Sequence, residues 1–192
     1  MIKFNNVYFS YGNKAVIENL SFTLEDGNNL LITGPSGCGK TTIARLILGL
    51  NKPDSGTIVA DGKLSAVFQE DRLIEKLNVY KNICLPLSKE KTAFAIELIS
   101  EFGLEDIKYK AIESLSGGMK RRVAIIRALA FGGDALVLDE PFNGIDKENA
   151  MLISKIINRE YTKKGKSVII ISHNASDAEV FEAKILKIKP KS

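Results

Sequence analysis

The chain has 192 residues, 45% apolar and 26% charged, values that suit one globular domain with a full core and exclude a disordered protein. A net charge of +4 carried by scattered lysines does not mark a nucleic-acid surface. Two cysteines make no disulfide framework, Met1 to Asn6 lacks a signal-peptide core, and no apolar run reaches the roughly 18 residues of a membrane span. The expectation is a cytosolic protein that meets a membrane only through a partner.

In chain order, residues 2–9 and 20–24 read as strands, with turns at Gly12-Asn13 and Asp26-Gly27. Tyr11, in the first loop, can stack on a flat base, although closing a turn is the plainer role for it. A buried strand over 29–33 leads into Gly34-Pro35-Ser36-Gly37-Cys38-Gly39-Lys40-Thr41, and a helix with an apolar face follows over 42–48. The octapeptide satisfies G-x-x-x-x-G-K-[ST] at every fixed position, inside the strand–loop–helix context that pattern needs. Its glycines let successive N–H groups point at phosphate oxygens, and the positive helix end faces the same way. Lys40 supplies a charge for the β- and γ-phosphates, and Thr41 a hydroxyl for Mg²⁺. A nucleoside triphosphate is therefore expected here.

A strand over 57–60 comes next, behind turn residues 53–56. Asn51-Lys52-Pro53-Asp54 spells a guanine-reading N-K-x-D but stands too early in the chain for that role, and it is rejected. Residues 64–68 form another strand, ending at Gln69. From Glu70 to about Tyr109 the pattern turns helical, most clearly from Lys89 to Phe102, with Phe94, Leu98 and Phe102 on one face and Gly103 as the stop.

Leu115-Ser116-Gly117-Gly118-Met119 opens a helix to about Ala130, with Ser116 as N-cap and two glycines exposing the first N–H groups to an anion. Lys120-Arg121-Arg122 reads as the solvated face of that helix. Ala135 to Glu140 is a strand apolar enough to be buried on both faces, ending in two carboxylates where ligands bind in a parallel sheet. One carboxylate can hold Mg²⁺ and the next can take a proton from an attacking water. Asp146 caps a helix to about Lys164, and 166–171 is another buried strand. Ser172 and His173, the single histidine, sit at its carboxyl end. A short helix and a strand over 184–189 close the chain.

Together these pieces resemble the ATP-binding subunits of ABC transporters over essentially the whole chain. Gly34–Thr41 is similar to Walker A and Gln69 to the Q-loop; residues 115–119 are similar to the LSGGQ signature. Residues 135–140 are similar to Walker B with its following glutamate, Asp146 to the D-loop aspartate, His173 to the switch histidine and Tyr11 to the A-loop aromatic. The resemblance implies an α/β fold: a P-loop NTPase core with an N-terminal antiparallel β subdomain and an inserted α-helical subdomain. It implies one ABC ATP-binding domain over 1–192, with a core of about 1–69 and 134–192 and a helical part of about 70–133. ATP and Mg²⁺ are the implied cofactors.

By the same resemblance, ATP is sandwiched in a head-to-tail dimer with a second copy or a homologous ATPase subunit, and Ser116, Gly117, Gly118 and Asp146 act across it. Gly34 to Thr42 bind phosphates, Tyr11 and Val16 flank adenine, and Thr41, Gln69 and Asp139 hold Mg²⁺. Glu140 polarises water, His173 holds the γ-phosphate, and Gln69 touches the water while reporting the state of the site. The implied partners are integral membrane permease subunits and a solute-binding protein, with no direct nucleic acid, and the implied location is the cytoplasmic face of the membrane. Residues 67–73 resemble the importer branch for nitrate, sulfonate or taurine-like solutes. Met119 in place of glutamine keeps the phosphate-facing groups, so modest impairment at most is expected. The chain stops soon after its last strand, so inhibition through a regulatory extension is not expected. The alternatives are an ABC module acting on DNA or ribosomes, and a regulatory nucleotide-binding subunit.

Overall fold

A computed structural model describes residues 1–189. The elements, in order, are β1 (Ile2–Tyr11), β2 (Lys14–Leu24), β3 (Leu30–Thr33), α1 (Lys40–Ile47), β4 (Ser55–Ala60), β5 (Leu64–Val67), α2 (Val79–Cys84), α3 (Thr92–Glu101) and α4 (Gly117–Phe131). They continue with β6 (Ala135–Asp139), α5 (Lys147–Glu160), β7 (Ser167–Ile171), α6 (Asp177–Val180) and β8 (Lys184–Lys187). β1 lies between β2 and β4 in an antiparallel sheet, and a second sheet runs β5-β6-β7-β3-β8 with every pairing parallel.

The first two strands run longer than residues 2–9 and 20–24 because a bulge lets β1 keep its apolar side inward. Ile2 and Phe4 are buried, and so are Val7 and Phe9, an odd spacing that a regular strand cannot bury on one face. The register slips between Phe4 and Val7, where Asn6 takes φ 48° and its side-chain amide donates to Asn19 Oδ1 at 2.7 Å.

Every residue of β6 and β7 is buried, as their unbroken apolar runs require. The pleat sorts them between two cores. Leu136, Leu138, Val168 and Ile170 face α2 to α5, whereas Val137, Ile169 and Ile171 face α1 and the antiparallel sheet. Because β7 pairs with both β3 and β6, the carboxyl ends of these three strands stand side by side at one edge.

The helical reading of 70–109 holds only in part. Phe102 and Leu98 are buried on α3, and Gly103 takes φ 65° after it, as expected. Residues 70–77, however, form no helix, and α2 starts at Val79 because the Asn78 side chain accepts from Lys81 N–H at 2.7 Å. Side chains satisfy much of the backbone of that loop, and the Glu75 and Leu77 carbonyls accept from the N–H groups of Glu113 and Ile112 at 3.2 and 3.0 Å. Buried Asn82 bonds Ile74 N–H and C=O at 2.8 and 3.0 Å, and Arg127 donates to the carbonyls of Asp71 and Arg72, each at 2.9 Å.

The solvated-face reading of Lys120-Arg121-Arg122 fails at its centre: Arg121 is only 3% exposed. The rest of α4 explains why. Val123 to Ile126 and Ala128 to Ala130 are all buried, so this helix has no continuous solvent face for a charged side chain to occupy.

Candidate nucleotide site

β3 ends in the core, and the chain turns through Gly34 to Gly39 before α1. Gly39 is the helix N-cap with φ 102°, and a Cβ there would lie 2.9 Å from Ile17 Cδ1 and 3.0 Å from Val16 Cγ1. Only glycine allows both the left-handed turn and that approach. Lys40 is nearly buried and folds back so that Nζ donates to the Gly34 and Pro35 carbonyls at 2.8 and 2.9 Å. Phosphate oxygens compete well for this ammonium, because they add opposite charge where the carbonyls offer only a dipole.

A cleft of about 360 Å³ opens over this loop. Tyr11, Val16, Ser36, Gly37, Gly39, Lys40, Thr41, Thr42, Gln69, Glu140 and His173 line it, so most sequence-predicted residues meet at one place. Lys14 and Ile171 also line it and had no sequence signal of their own. Cys38 is buried behind the loop, on the side of Leu186 and Ile188, and Gly34 and Pro35 serve as the carbonyls that hold Lys40. Tyr11 ends β1 rather than sitting in the loop, with its ring edge-on to Phe9. Asn51, the first residue of the rejected guanine motif, donates to the Tyr11 hydroxyl at 3.0 Å.

At the end of β6, Asp139 is 2% exposed, and neither carboxylate oxygen has a hydrogen-bond partner among the described residues. Burial pushes its carboxyl above the usual aspartate range; Thr41, Arg121, Lys40 and Arg45 offset this in part. An orphaned buried carboxylate beside a threonine hydroxyl fits a hard cation, which takes oxygen ligands. No cluster of three His, Cys, Asp or Glu occurs among the described residues, so a cation here would rely on Asp139, Thr41 and ligand oxygens.

Glu140 follows with φ 49°, a strained conformation for a residue with a side chain. Its N–H donates to Ile171 O at 2.9 Å, and its carbonyl accepts from Arg121 Nη2 at 2.7 Å. The turn aims the carboxylate at His173, with Oε1 3.0 Å from Nε2. Burial raises the Glu140 carboxyl, and His173 is the largest opposing influence.

Ser116 to Gly118 and Asp146 stand apart from this cleft. Ser116 Oγ caps α4 by accepting from Met119 N–H at 3.4 Å, and Asp146 Oδ1 caps α5 by accepting from Asn149 N–H at 2.9 Å. Hydrogen bonds from Asn149 hold the Asp146 carboxyl below its usual range. A Cβ on Gly118 would lie 2.7 Å from Gly144 O, so the start of α4 abuts the loop before Asp146. Met119 is half-buried and packs against the apolar core. Ser116 and Gly117 are exposed.

A glycine loop between an inner strand of a parallel sheet and a helix, with carboxylates at the end of a strand two places away, defines a P-loop nucleoside triphosphatase. The chain belongs to the ABC transporter family, whose pattern matches residues 17–143. It is 33% identical to the taurine import ATP-binding protein TauB of Escherichia coli K12, over 93% of this chain and 75% of that one. Against TauB of Escherichia coli O157:H7 the identity is 32%, over 99% and 80% of the two chains. Among solved structures, the dimeric bacterial ABC transporter cassette MJ0796 superposes with a TM-score of 0.89 at 29% identity, covering 98% of this chain and 94% of that one. A post-hydrolysis state of that cassette bound to ADP and Pi gives 0.89 at 27% identity, over the same shares. The expected resemblance to importer ATPase subunits is borne out, and the protein is an ATP-binding, ATP-hydrolysing cassette.

Proposed function

We propose that this chain is the ATPase of a small-solute importer, working as a head-to-tail dimer beneath a separate membrane permease on the cytoplasmic face of the membrane. The observation that carries the reading is the pairing, at one strand end, of an orphaned buried Asp139 with Glu140 held 3.0 Å from His173, both beside the phosphate loop. Lys40 and the loop N–H groups bind the β- and γ-phosphates, and Tyr11 and Val16 flank the base. Asp139, Thr41 and Gln69 would hold Mg²⁺, which when bound neutralises phosphate charge. Glu140 accepts a proton from the attacking water, and His173 holds the γ-phosphate.

Ser116, Gly117, Gly118 and Asp146 reach the nucleotide of the partner copy. The exposure of Ser116, Gly117 and Asp146, and the separation of all four from the chain's own cleft, support that division of labour. The nucleotide-binding core takes about residues 1–69 and, within the described residues, about 134–189, and about 70–133 form the helical part that meets the permease. No helix among the described residues is long and apolar enough to cross a membrane, so the route for solute belongs to partner subunits. The relatives named for taurine import support a small sulfonate of the taurine kind as the cargo class, and a solute-binding protein would deliver it.

Replacing Glu140 by Gln tests the reading. Turnover falls about 10²–10⁴-fold while ATP binding persists, and ATP traps a long-lived dimer on size-exclusion chromatography. Hydrolysis near the wild-type rate would remove Glu140 from its role.

A further inference from the structure

Arg121 is a buried cation with no place in the phosphate-binding scheme, and its guanidinium spans the two loops that carry the reacting groups. Nη1 donates to the carbonyl of Phe68, to that of Gln69 at 3.4 Å, and to Asp71 Oδ1 at 3.2 Å. Nη2 donates to the carbonyls of Asp139 and Glu140 at 2.5 and 2.7 Å, and Nε to that of Pro141 at 3.1 Å. One end of the fork therefore serves the Gln69 loop, and the other end the Glu140 turn.

We propose that Arg121 is a positioning residue for hydrolysis, holding Gln69 and Glu140 in one fixed relation across the cleft. The argument has three parts. First, Glu140 sits at φ 49°, and a strained turn persists only when its surroundings over-determine it. Ile171 O fixes the N–H of that residue and Arg121 fixes its carbonyl. Second, the Gln69 loop belongs to no strand or helix, so its carbonyls depend on side-chain donors. Third, five donors in a planar fork can serve two separate loops at once, which a single ammonium cannot. Arg121 also lies about one and a half turns beyond Ser116 on α4. A shift of that helix at its N-terminus therefore reaches the link between the Gln69 loop and the Glu140 turn.

The inference rests on the ATPase reading above, and the experiment separates the two. The wild type, Arg121→Lys and Glu140→Gln are compared for kcat, KM and the fraction of molecules that bind ATP, with thermal melting alongside. Arg121→Lys keeps the charge and loses the fork. Its kcat per nucleotide-binding molecule falls about 10- to 100-fold, as small misplacements of reacting groups do, while KM stays within about threefold. Arg121→Ala, where it folds, regains part of its kcat on addition of guanidinium at low millimolar concentration, which a purely structural defect does not. An Arg121→Lys kcat within about twofold of wild type, or a loss matched by a smaller nucleotide-binding fraction, overturns the proposal. If Arg121→Lys is normal while Glu140→Gln is inactive, only the role of Arg121 falls. Should Glu140→Gln hydrolyse ATP normally, the site reading falls and takes this inference with it.

Discussion

Asp139, Glu140 and His173 stand at the ends of β6 and β7, strands buried at all five positions each and paired on both sides. Gln69, on the facing side of the cleft, begins a stretch to Leu77 that joins no strand ladder and is held by Arg121, Arg127, Asn82 and the N–H groups of Ile112 and Glu113. The first wall shares the cooperativity of the core. The second is held by a handful of side-chain and backbone hydrogen bonds, so it can open at a cost below global unfolding. In the proposed scheme the rigid wall carries the chemistry and the releasable one reports the state of the site.

Three changes sharpen or break that contrast. The largest effect is expected in the strand wall. Ile170→Ala, at a fully buried position of β7, should cost about 2–5 kcal/mol of global stability in urea unfolding. Arg127→Met should cost less, about 1–3 kcal/mol, and should appear as faster amide exchange confined to residues 70–76. Exchange that quickens equally in β6 and β7 would show that the two walls unfold together.

The smallest effect has the opposite sign. Asp139 has a folded-state pKa above its unfolded value, so the folded protein binds the extra proton. The stability linked to that proton is fully present below the ordinary aspartate range and is lost as pH rises through the raised value. Asp139→Asn should therefore stabilise the nucleotide-free protein by about 1 kcal/mol at pH 7 in EDTA, with the gain vanishing in acid. The same variant should lose the extra stability that MgATP confers on the wild type. An unchanged or lower melting temperature at pH 7 without nucleotide would show that the carboxylate is not the orphan its surroundings make it.

Much of this molecule could be read from local pattern. The octapeptide from Gly34 to Thr41 specifies a phosphate loop because backbone geometry and helix polarity follow from glycine placement and the helix behind it. The apolar runs at 135–139 and 167–171 specify doubly buried strands because a parallel sheet covers both faces, and the polar residues that end those runs then fall at the ligand edge. Ser116 and Asp146 are caps by residue type and position, and both caps form.

What composition and spacing left open are the contacts made across sequence distance. Residues 70–77 carry a helical pattern, yet they become an open loop because Arg127 satisfies the carbonyls of Asp71 and Arg72 and Arg121 holds the Asp71 carboxylate, each from far along the chain. Arg121 looks like one of three consecutive surface cations, and only the all-round burial of α4 betrays that it points inward. Asn51 spells part of a base-reading motif and instead steadies Tyr11. Local sequence determines which backbone states are cheap. Which distant partner takes up a polar group is decided only when the two cores close around the sheet.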